Sequence, residues 1–82
     1  MVFVDLVSID GAKATFEYRP ESKAAKCGLI EVDSNSGESR LIKKSPDDDM
    51  PDNVWYIPYA IDSAKRMLNE TPVREHDVCA WY

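Results

Sequence analysis

The feature that most constrains this chain is a pair of short alternating runs hinged on Asp10-Gly11. Val2-Phe3-Val4-Asp5-Leu6-Val7-Ser8-Ile9 is rich in β-branched and aromatic residues. After the hinge, Ala12, Ala14, Phe16 and Tyr18 alternate with Lys13, Thr15, Glu17 and Arg19. A period of two is that of a strand with one face buried, and Asp-Gly tolerates the positive φ of a tight hairpin turn. A two-residue turn at Asp10-Gly11 sets Ile9 opposite Ala12, Val7 opposite Ala14 and Phe3 opposite Tyr18. It also sets Asp5 opposite Phe16, on the apolar face, where an isolated carboxylate is costly. Asp5 therefore has a partner, lies on a splayed edge, or signals a bulge that shifts the register. The competing reading is a catalytic or ligand-binding carboxylate, because conflicts between local rules and fold gather at functional sites.

Pro20 ends the second strand, and residues 21–26 form a polar loop or a single helical turn. A second hairpin is expected from Cys27–Asp33 and Glu38–Lys44 around Ser34-Asn35-Ser36-Gly37. A four-residue loop places Ile30 across from Leu41 and Glu31 across from Arg40. A three-residue loop with a glycine bulge places Ile30 across from Ile42. Ser45–Asn53 reads as an irregular linker with at most one helical turn, in which Ser45 and Asp48 have capping-box spacing and Pro46 suits a first helical position.

The next segment predicts a helix over about 57–69. Ile57, Ile61, Ala64 and Leu68 recur at helical spacing, joined by Ala60 and Met67. Asp62, Ser63, Lys65, Arg66, Asn69 and Glu70 fill the expected polar side, and Pro58 is tolerated only in the first turn. His76–Tyr82 reads as a last strand, because a chain ending in Trp81-Tyr82 gains by covering both rings. These elements predict one α+β domain over 1–82: an antiparallel meander of about four to five strands with one amphipathic helix packed on one face.

Charge narrows the function. Residues 1–46 balance seven acids with seven bases; residues 47–82 carry eight acids against Lys65, Arg66 and Arg74, so the whole net charge of −5 lies there. Such a chain lacks the basic footprint of a nucleic-acid binder. Its longest apolar runs are far short of the ~20 residues of a spanning helix, and its start has no basic region followed by a cleavage site. No membrane association is expected, and a cytoplasmic location follows, with Cys27 and Cys79 as reduced thiols.

Catalytic and metal chemistry find little support. His76-x-x-Cys79 aims its two side chains at opposite faces of a strand, and Asp47-Asp48-Asp49 lacks calcium-loop spacing. There is no glycine-rich phosphate loop. No metal or cofactor is expected. The leading expectation is a small acidic, non-catalytic interaction domain that meets a basic protein partner or a second copy of itself. Its candidate contact residues are Asp47, Asp48, Asp49, Asp52, Trp55, Tyr56 and Tyr59, since exposed aromatic residues anchor interfaces and localised charge steers encounter. A solubilising loop, with Trp55 and Trp81 filling the core, is the competing account. The alternative function is a ligand-binding or enzymatic pocket between sheet and helix, built on Asp5, His76 and Cys27.

Overall fold

A computed structural model describes residues 1–81; the terminal Tyr82, and the expectation that its ring is covered, lie outside the described residues. Five antiparallel strands, β1 (Val2–Asp10), β2 (Lys13–Pro20), β3 (Gly28–Asp33), β4 (Ser39–Lys43) and β5 (His76–Cys79), form one sheet in the order β4-β3-β2-β1-β5. The first four strands make a meander. After the single helix, α1 (Tyr56–Leu68), the chain returns to pair β5 with the outer side of β1. The α+β architecture is the one the sequence patterning implies.

The first hairpin departs from its simplest register. Asp10 pairs with Lys13, so the turn is Gly11-Ala12, with Gly11 at φ +60. Ile9 then lies opposite Ala14 and Ser8 opposite Thr15, but the ladder shifts at Val7 and resumes with Leu6 opposite Phe16. This bulge inserts one residue and so exchanges the faces of everything before it. Asp5 consequently pairs with Glu17 rather than Phe16 and lies on the face away from the helix. Val2 and Val4, opposite Pro20 and Tyr18, take the buried side. The second hairpin adopts the four-residue loop, with Ile30 across from Leu41 and Glu31 across from Arg40.

The core lies between the sheet and α1. Val2, Val4, Phe16, Tyr18, Ile30 and Val32 from the strands meet Ile57, Ala60, Ala64 and Met67 from the helix. Each large side chain fully buried here contributes about 1.5–3 kcal/mol. The buried stripe is turned from its expected position. Ser63, placed on the polar side by periodicity, is fully buried, while Ile61 and Leu68 are only partly covered. Burial of a serine is tolerable because its hydroxyl donates to Asp77 on β5. Arg74 ion-pairs with the same carboxylate at 3.2 Å.

The linker before α1 is tied down at several points. The Tyr18 ring passes over Gly28, where an added Cβ would stand 2.2 Å from that ring, so only glycine fits. The Tyr18 hydroxyl thereby reaches the linker: it accepts from the Ser45 N–H at 3.0 Å and donates to Asp48 at 3.1 Å. Ser45 Oγ accepts from the Asp47 N–H at 3.1 Å and donates to the Lys26 carbonyl. The result is a hydrogen-bonded turn rather than a capped helix. Beyond β5, which stops at Cys79 instead of running to the end of the chain, Trp81 folds back against α1.

Candidate functional site

The acidic and aromatic candidates fall into two groups. Asp48 is 6% exposed and engaged by Tyr18 and by the Met50 N–H, so it is part of the fold rather than of the surface. Asp47, Asp49 and Asp52 remain exposed; Asp47 accepts the Lys26 N–H at 2.7 Å and Asp52 pairs with Lys44 at 3.2 Å. Tyr18 has its pKa raised above the ordinary tyrosine range, first by burial and then by the Asp48 carboxylate.

Among the aromatic residues, Tyr56 is buried and donates to Glu21 at 2.8 Å. Burial, followed by that hydrogen bond and the Glu21 charge, pushes its pKa up to about 12. Glu21 also receives the N-terminal ammonium at 3.1 Å. Tyr59 and Trp81 stack with ring centroids 4.6 Å apart and planes 6° from parallel, while Tyr56 meets Trp81 edge-on at 5.6 Å. Trp81 thus packs against the core. Trp55 does not, contrary to the core-filling account, and its side chain is 50% exposed.

Trp55 is also unusual in its backbone. It precedes the first helical residue with φ 58 and ψ −95, and no side chain caps the helix there. Its carbonyl accepts the Tyr59 N–H at 3.0 Å, which closes the first turn of α1. The exposed Trp55 and the Tyr59–Trp81 stack thus both lie at the start of the helix, close in sequence to the exposed aspartates.

The alternative set is only partly assembled. His76 Nδ1 lies 2.6 Å from Asp5 Oδ1, brought together by the β1–β5 register. Both line a shallow cleft of about 780 Å³, but Cys27 is not in its lining and the cleft opens on the sheet face opposite the helix. Arg19 joins the cluster through Asp5 at 3.2 Å and Glu17 at 2.8 Å. Periodicity had marked Glu17 and Arg19 as facing away from Phe16, but the expected register kept Asp5 apart from them. Cys27 and Cys79 are both free thiols, each partly exposed.

Among the described residues no three or more His, Cys, Asp or Glu side chains converge on a metal-sized site, and no helix is long and apolar enough to cross a membrane. No known family model, curated protein or solved structure matches the chain.

Proposed function

We propose that this chain is a non-catalytic interaction domain that binds a basic protein partner through Trp55 and the neighbouring Tyr59–Trp81 stack. The observation that carries this reading is Trp55 itself. A bulky side chain at positive φ costs about 1–3 kcal/mol, and strain of that kind persists where it serves a purpose other than stability. Here it holds an indole half in water, where it stabilises little. Tryptophan and tyrosine are the residue types that most often anchor interfaces.

The charge supplies the partner's sign. The net −5 lies wholly in residues 47–82, and the exposed Asp47, Asp49 and Asp52 stand close to Trp55 in sequence. Exposed charges act over about a Debye length, ~8 Å at physiological ionic strength, so they favour encounter with a basic surface more than they hold the final complex. The same sign disfavours nucleic acid.

The test places a photo-crosslinking phenylalanine analogue at Trp55 and, as a control, at exposed Lys13 in cells of the native host. A basic protein captured from position 55 and not from position 13 supports the reading. Equal capture from both positions, or capture only of a second copy of this chain, refutes it. With the partner in hand, Asp47, Asp49 and Asp52 changed together to Asn should slow association, and Tyr59→Ala should speed dissociation.

A further inference from the structure

The sheet face that α1 leaves uncovered is organised in two rows. Glu17, Asp5 and His76 stand side by side across β2, β1 and β5, and Arg19, Phe3 and Val78 form the next row. Arg19 directs its two terminal nitrogens to Asp5 and Glu17, and the second Asp5 oxygen meets His76. A carboxylate can only accept, so a neutral His76 carries its proton on Nδ1 and presents the Nε2 lone pair. The imidazole is 79% exposed, so that lone pair is open to a donor.

Phe3 is the second element. The Lys23 ammonium stands 5.8 Å from the centroid of its ring. No salt bridge among the described residues includes Lys23. The residue lies in the exposed β2–β3 loop, so the ring face holds a cation that little else secures. Val78, half exposed and directly across from Phe3, extends the apolar floor.

We infer that this cleft binds a primary ammonium group carried on a short apolar body, and that Lys23 fills the cation position from within the chain. The Phe3 ring takes the positive charge, as Lys23 demonstrates, and His76 Nε2 accepts an ammonium N–H. Once Lys23 is displaced, Asp5 and Glu17 outweigh Arg19 in the lining, which disfavours a carboxylate or phosphate ligand. The apolar part of the ligand lies over Phe3 and Val78. A ligand must displace Lys23, so the lysine competes with it directly. The cleft lies on the opposite face of the sheet from α1 and is independent of the Trp55 surface.

The test is a titration followed by amide NMR shifts at about pH 7.5. The probes are 2-phenylethylammonium and 3-phenylpropanoate, which share a body and differ in the sign of the head group, each taken to about 20 mM so that a millimolar site saturates. The expected result is saturable shifts at Phe3, Asp5, His76 and Val78 with the ammonium probe alone. Lys23→Ala should bind it about two- to fivefold more tightly, the worth of one exposed cation–π contact. Phe3→Leu should weaken it by a similar factor. Equal shifts with the carboxylate probe, weaker binding by Lys23→Ala, or no saturation even in that variant would overturn the inference. An Nα-acetyl-lysine amide run in parallel distinguishes sources. Tighter binding of that probe supports a lysine side chain of a protein as the ammonium, and tighter binding of 2-phenylethylammonium supports a free amine.

Discussion

Tyr18→Phe removes one oxygen and should be among the most damaging conservative changes in the chain. Tyr18 is fully buried and Asp48 nearly so. The hydroxyl both donates to Asp48 and accepts from the Ser45 N–H, so its loss leaves a carboxylate oxygen and an amide hydrogen unpaired. Each such group costs about 1–3 kcal/mol when water cannot replace the partner, giving a total of about 2–6 kcal/mol. A domain of this length has about 4–12 kcal/mol in all. In urea, with a slope of ~1 kcal/mol per molar for so small a protein, the midpoint should fall by about 2 M or more. Tyr56→Phe is the matched control: its hydroxyl meets Glu21, whose side chain is 46% exposed and can turn to water. That variant should lose no more than about 1 kcal/mol. Pairing Tyr18→Phe with Asp48→Asn should give losses that are not additive, because both act on one hydrogen bond. A loss below ~0.5 kcal/mol for Tyr18→Phe, with unchanged slope, would refute the reasoning. The linker would then be solvated, and Asp48 would return to the exposed acidic set.

On the helix, Ala64→Asp and Ser63→Asp should both cost several kcal/mol in chemical denaturation, the first by burying an unpaired charge and the second by setting a carboxylate against Asp77. A mild Ser63→Asp would restore the stripe as periodicity drew it. Asp5→Asn should cost less than about 1 kcal/mol, since Arg19 keeps Glu17 and the pair is partly solvated; a loss above ~3 kcal/mol would show a buried ionic anchor. Trp55→Gly should leave stability unchanged or raise it by up to about 1 kcal/mol, because glycine adopts the positive φ without strain, while abolishing binding to the captured partner. Alkaline pH should destabilise the fold. Tyr56 titrates near 10 when unfolded and near 12 when folded, so its contribution is whole below pH 10 and declines as pH rises from there toward 12, with Tyr18 acting in the same direction. Urea midpoints that stay flat between about pH 9 and 11 would contradict that direction.

The sequence by itself determined the elements that depend on near neighbours. Alternation in 12–19 marked the buried face of β2, and the spacing of Ile57, Ile61, Ala64 and Leu68 marked the helix. The crowding of acids after residue 46 was legible from composition alone. Tertiary structure decided everything that turned on a partner distant in the chain. Periodicity put Ser63 outside, but Asp77, 14 residues away, supplies the acceptor that lets it lie inside. Asp48 looked like one of four equivalent acids until Tyr18, 30 residues away, drew it in past a glycine. Asp5 and His76, 71 residues apart, meet only because a bulge at Val7 turned Asp5 outward and β5 returned beside β1. The physical reason is common to all three. Local patterning records the average polarity of an element's faces, whereas the burial of one polar side chain depends on whether another segment brings it a hydrogen-bonding partner.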